Sequence, residues 1–331
     1  MQDLQENILK TIIWFDLFEY PLKLEEIFLY LPDKVENLEF ILNNLITENK
    51  IQKKQDFYFL FGRQEIVNIR KERRVESFKK IKRAKRAVKF LRNLPFVRAI
   101  FLCNVLGYLN AKEQDDIDFL IITEKNKIWT TRWFATGFFK ILNLRPRPDK
   151  IKDKFCFSFY LSLDNLNLEN IKLEDDPYLK YWLTGLLPLY DENNYLDKIL
   201  NNNLWTGFFC NNKQQPCHPE LVSGFGVKSR NEFGMTSGPF GMTSGPFGMT
   251  KKINGDSRSI IKIFLEKIFK FVFLEKIFRK IQLMIMPQIL KSQMNKSGGV
   301  IINNKILKMH PYDKRKEFAE KFSHKIREII K

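Results

Sequence analysis

Residues 113–123 read EQDDIDFLIIT, so three aspartates, Asp115, Asp116 and Asp118, stand at the mouth of an apolar run, 119–122. Side chains on a strand alternate, which points Asp116 and Asp118 the same way and turns Ile117 to the core. Two carboxylates held a few ångströms apart repel each other unless a cation lies between them. Magnesium takes one or two carboxylates and completes its shell with water and substrate phosphates. Two such ions clamp both sides of an in-line phosphoryl displacement. The pair therefore suits nucleotidyl transfer. The competing reading is a set of solvated turn residues.

Other chemistry-bearing groups are sparse. Four cysteines, Cys103, Cys156, Cys210 and Cys217, form no CxxC pair, and Cys217-His218 lacks a second ligand pair at zinc-finger spacing. Three histidines, His218, His310 and His324, leave little for histidine-based hydrolysis. His310 reads as a packed or capping residue that can also face a nucleotide pocket from the tail. Arg145 and Arg147, either side of Pro146, read as a basic loop or as phosphate contacts. Trp129, Trp133 and Trp182 read as core.

The elements that must position these groups follow from periodicity. Helical spacing over 5–17, 23–31 and 35–49 precedes a hairpin pattern over 51–62 with its polar turn at 53–56. Three helices and a hairpin are the order of a winged helix. The third helix carries Glu36, Glu39 and Glu48 against Lys34 and Lys50, a poor match to phosphate, so this unit (1–62) is expected to make protein or domain contacts. A basic helical connector follows at 63–94. Strands are expected at 96–106, 116–123 and 155–161, with a helix at 127–142, in an α/β arrangement within 95–213. Helices are expected at 178–187 and 195–204. Residues 214–256 read as a disordered repeat insertion: 214–250 hold 7 of the 15 glycines, and FGMTSGP recurs at 233–239 and 240–246. FLEKIF occurs at 264–269 and 273–278. In one helix a nine-residue offset turns about 180°, which predicts apolar surface nearly all round and hence either a buried helix or an oligomer contact through 260–286. The C-terminal region, 257–331, is expected to be helical apart from strand-like VIINNKILKMH from Val300.

The net charge is +18, and 14 Lys and Arg against 3 Glu put +11 into residues 63–98. Such a stripe attracts polyanions, so nucleic acid through 63–94 is a candidate partner; a solvated helix face is the plain reading. The apolar stretch 260–286 is interrupted by Lys262, Glu266, Lys270, Glu275 and Arg279, so no membrane span is expected. The start, MQDLQENILK, carries acids where a secretory segment carries lysines, and a cytoplasmic protein is expected.

The run NAKEQDDIDFLIIT, 110–123, resembles the signature of the nucleotidyltransferase superfamily that includes DNA polymerase β and kanamycin nucleotidyltransferase. The wider order of elements, with LKMHPYDKR at 307–315, resembles bacterial nucleotidyltransferase-domain proteins that carry an N-terminal winged helix. The resemblance implies an α+β protein with an α/β core and a mixed sheet. It implies a Mg2+ ion on Asp116 and Asp118, and a nucleoside triphosphate near Asn104, Val105 and Asn110. Three departures stand out. The family's Gly-Ser pair falls at Asn104-Val105. The residue before the DxD is Asp115. The strand that carries the third carboxylate reads KFCFSFYLS, with Ser158 near the position and Asp153 and Asp164 only flanking it. The expected function is nucleotidyl transfer to an unknown acceptor. The alternatives are a catalytically degenerate fold acting as a nucleic-acid- or protein-binding module, and a winged-helix transcription regulator.

Overall fold

A computed structural model of the chain describes residues 2–31, 37–207, 259–296 and 298–330; the expected insertion at 214–256 lies outside them. The chain is α+β. The N-terminal unit runs α1 (Gln2–Asp16), β1 (Leu22–Lys23), α2 (Leu24–Tyr30), α3 (Leu38–Thr47), β2 (Ile51–Lys54) and β3 (Phe57–Leu60). Its strands form an antiparallel sheet in the order β1-β3-β2. Ile8, Ile12 and Phe15, at three- and four-residue steps, are buried as the periodicity requires.

The basic segment is one helix of 26 residues, α4 (Ile66–Leu91). Part of its charge turns inward. Arg70 pairs with Glu26 at 2.7 Å, both nearly fully buried, and Arg73 reaches Glu19 and the carbonyl of Phe18. A buried guanidinium survives only when paired in this way. These contacts lock the N-terminal unit against the connector.

The central sheet takes strands from far along the chain. After β4 (Val97–Leu102), β5 (Ile117–Thr123), α5 (Ile128–Ile141) and β6 (Phe155–Ser162) come α6 (Pro177–Thr184), β7 (Leu187–Asp191) and α7 (Tyr195–Asn202). The C-terminal part supplies α8 (Ile260–Ile268), α9 (Val272–Met284), α10 (Gln288–Gln293), β8 (Val300–Ile302), β9 (Ile306–Met309) and α11 (Arg315–Ile329). The sheet order is β7-β4-β5-β6-β9-β8, and only β5 and β6 run parallel. That pair needs a crossover, which α5 provides. Both faces of the sheet are buried. Phe119, Ile121 and Phe157 fill one layer; Phe101, Leu120 and Phe159 fill the other.

Two expectations are corrected here. The helix expected over 178–187 stops at Thr184, and Leu187–Asp191 instead pairs antiparallel with β4. Gly185 ends the helix, and Pro188 is tolerated because β7 is an edge strand. The FLEKIF repeats lie on two helices rather than one. At the break, the Lys127 ammonium takes the carbonyls of Phe269 (2.9 Å) and Lys270 (2.7 Å). The two glutamates of the repeat then do parallel work. Glu266 accepts from the Phe96 amide (2.9 Å), and Glu275 accepts from the amides of Trp129 (2.7 Å) and Thr130 (2.9 Å), capping α5. Ile260, Ile261, Phe264, Phe273 and Ile277 stay exposed. Among the described residues no helix is long and apolar enough to cross a membrane.

Candidate metal centre

Asp116 immediately precedes β5 and Asp118 is its second residue, so both carboxylates emerge beside the end of the sheet while Ile117 is fully buried between them. On the parallel neighbour β6, the residue opposite Asp118 is Cys156. Ligand atoms of Asp116, Asp118 and Cys156 lie within 4.8 Å of one another, each residue half-buried. Neither aspartate has an ion-pair partner among the described residues. Burial first, and the neighbouring charge of Asp118 second, push Asp116 up to about 8. Burial followed by the same two carboxylates drives the Cys156 thiol well above its ordinary value. A close carboxylate pair without a counter-charge fits a divalent cation. A hard ion such as magnesium would use the two carboxylates alone; the sulfur adds affinity only for softer ions such as zinc.

The turn that presents the pair is held from beneath. Lys80, 1% exposed on α4, donates to the carbonyls of Glu113 (2.9 Å) and Asp115 (2.8 Å) and to Oδ1 of Asp153 (2.8 Å). Asp115 does not join the pair; its Oδ2 accepts from the Lys112 amide (2.7 Å) and closes the turn. Asp153, flanking β6, is spent on Lys80. Asp164, at the other end, accepts from Ser162 Oγ (2.5 Å).

The loop leaving β4 supplies the third side. Asn104, at φ 55°, opens a 3-10 turn (Asn104–Leu106) and donates from Nδ2 to Oδ2 of Asp118 (2.8 Å). Asparagine is among the few residues that accept this left-handed backbone. Its Oδ1 accepts from Trp182 Nε1 (2.9 Å), which fixes the amide orientation. Trp182 is therefore more than core filling. Val105 and Asn110 do not reach the carboxylates. Val105 packs partly buried against the core, and Asn110 Nδ2 donates to the Phe18 carbonyl (2.9 Å), tying the loop to the N-terminal unit. With Asn104 they wall a small aromatic pocket of about 50 Å³ shared with Trp14, Phe18 and Tyr178. The amides of Gly107, Leu109 and Asn110 are already bonded to carbonyls inside the loop. A Cβ on Gly107 would lie 1.8 Å from the Gly185 carbonyl oxygen, so glycine is required where the loop crosses the end of α6.

In the place the resemblance reserves for a third carboxylate, β6 offers Cys156 and Ser158. Cys156 Sγ donates to Ser158 Oγ (3.2 Å), and Ser158 Oγ bonds His310 Nε2 (3.0 Å). Burial holds His310 below its ordinary value against the opposing pull of Asp118, and leaves the ring neutral at pH 7. The structure thus brings Asp116, Asp118, Asn104 and His310 together from three chain segments and adds Cys156 from a fourth. Sequence reading missed Cys156 as a donor because its adjacency to Asp118 depends on strand register. It missed Lys80 because one lysine in a basic run looks like any other.

No protein-family model, curated protein or solved structure matches the chain.

Proposed function

We propose that the chain is a nucleotidyltransferase-like protein that holds a nucleoside triphosphate and a divalent cation at Asp116 and Asp118 and passes the nucleotidyl group to an acceptor. The observation that carries this reading is the uncompensated carboxylate pair at the start of a strand in a mixed sheet, with the Asn104 amide fixed on Asp118. The cation would neutralise the pair and bridge to phosphate oxygens. A hydroxyl acceptor needs a proton acceptor, and β6 carries no acid. The neutral His310 behind Ser158 is the base this arrangement offers in its place. Magnesium-dependent release of pyrophosphate from ATP, GTP, CTP or UTP, lost in Asp116→Ala/Asp118→Ala, tests it. No release from any of the four, with either magnesium or manganese, overturns it.

A second reading has its own support. The amides of Gly107, Leu109 and Asn110 are spent inside the loop and β6 lacks a carboxylate, which suits a fold that binds without catalysing. On α4, Lys82, Arg86 and Lys89 form an outward stripe at helical spacing, a surface for nucleic acid. We read the N-terminal unit as a winged helix packed for protein contact, since Arg70 and Arg73 are drawn into it. Duplex or single-stranded nucleic acid bound with a steep salt dependence, together with no nucleotide chemistry, favours this reading.

A further inference from the structure

Beside β6, α5, α9, α10 and the loop after α5 line a cavity of about 630 Å³. Four cationic side chains line it, Arg132, Lys140, Arg145 and Arg147, and no acidic residue does. Arg132 donates through Nη1 to Gln282 Oε1 (2.5 Å) but has no ion pair among the described residues. Arg145 lies over the Phe157 ring at 5.8 Å and makes neither a hydrogen bond nor an ion pair with any described residue. The Nε atoms of both arginines and the hydroxyl of Tyr160 are buried without a hydrogen-bond partner.

Elsewhere in this protein, inward-facing arginines are neutralised: Arg70 by Glu26, Arg98 by Glu124 and Glu266, and Arg315 by Asp176 and Asp313. Among the described residues Arg132 and Arg145, like Arg83 over the Phe155 ring, keep a buried Nε with no ion pair, and only Arg132 and Arg145 share one cavity. Burial, and then the like charge of Arg145 against the pull of Tyr160, hold Arg132 down to about 10. Two neighbouring guanidinium groups without a counter-charge are costly unless an anion joins them. A carboxylate neutralises one of the two charges, whereas a phosphate dianion neutralises both. Its oxygens also match the planar fork of each arginine. The cavity is too large for phosphate alone, and Trp133, Met286, Leu290 and Met309 give it an apolar wall.

We propose that this cavity is a binding site for an organic phosphate, its dianionic group held between Arg132 and Arg145 and its apolar body against Trp133 and Met286. Ser158 is shared between the cavity wall and the His310 contact, so the two sites are neighbours.

Phenyl phosphate is the probe, with phenol, benzoate and sodium chloride at matched ionic strength beside it, all in EDTA so that no metal contributes. Phenyl phosphate is expected to raise the melting temperature and bind measurably by calorimetry, and the three comparison solutes are not. Arg145→Met keeps an apolar stem on Phe157 and is expected to lose about tenfold or more in affinity. Arg145→Lys, which retains charge but not the fork, should fall between. Asp116→Ala/Asp118→Ala should bind phenyl phosphate as the native protein does, which separates this site from the carboxylate pair. Phenyl phosphate that stabilises no more than chloride overturns the proposal. So does unchanged affinity in both Arg145 variants.

Discussion

The side-chain amide of Asn104 donates to Oδ2 of Asp118 over 2.8 Å while its carbonyl oxygen is held by the Trp182 indole at 2.9 Å. An amide held at both ends in this way is a clamp that aims the carboxylate it touches. Partners of this kind, behind a metal ligand, commonly set about 10- to 100-fold in metal affinity. Asn104→Ala is therefore expected to weaken Mn2+ binding about tenfold, read from the free-ion paramagnetic resonance signal. Trp182→Phe, which keeps the packing and removes the donor, should give a smaller loss in the same direction. Equal affinity in native protein and both variants would remove Asn104 from the site.

Asp116 gives a pH signature. Its folded pKa, about 8, lies above the ordinary 3.8. For a raised group the stabilising contribution is complete below the lower value and is lost as pH rises through the higher one. The metal-free protein should thus lose stability between about pH 4 and pH 8 on account of this residue. Asp116→Asn removes the repulsion and should raise stability at pH 8 by about 1–3 kcal/mol, allowing for water at a half-open site, with a shrinking benefit toward pH 4. Urea denaturation in EDTA at the two pH values measures it. A benefit independent of pH would contradict the assignment.

Lys80 reaches two carbonyls of the turn and Asp153 from a fully buried position. Lys80→Met leaves those acceptors unsatisfied and should cost about 2–4 kcal/mol in a urea midpoint experiment. It should also weaken Mn2+ binding, because the turn that presents Asp116 loses its anchor. A variant of native stability would show that water replaces the ammonium.

Glu275 caps α5 from another helix. Glu275→Ala strands the amides of Trp129 and Thr130 and should destabilise the protein by about 1–3 kcal/mol. Hydrogen exchange at Trp129 and Thr130 should accelerate selectively. Unchanged protection there would mean the cap is dispensable.

The legible parts of the fold were those with strong local periodicity. Ile8, Ile12 and Phe15 marked α1, the steps from Ile66 to Leu91 marked α4, and alternation marked Asp116 and Asp118 as neighbours on one side of β5. What failed was non-local. Leu187–Asp191 became a strand because β4 offered an unpaired edge, which five residues containing Pro188 do not announce. The FLEKIF helices separate because Lys127, about 140 positions away in sequence, captures Phe269 and Lys270. The same distance hid the site's remaining parts. Cys156 meets Asp118 through strand register, and His310 arrives on the turn after β9, which only the sheet order brings beside β6. Asn110, attractive from its motif position, is drawn instead to the Phe18 carbonyl of another unit.

The most direct test is a calorimetric titration of the full chain with ATP, with and without magnesium, beside Asp116→Ala/Asp118→Ala. Magnesium-dependent binding that disappears in the double variant is the predicted result. Absence of binding by the native protein, or binding that the double variant retains undiminished, would contradict a metal-nucleotide site at Asp116 and Asp118.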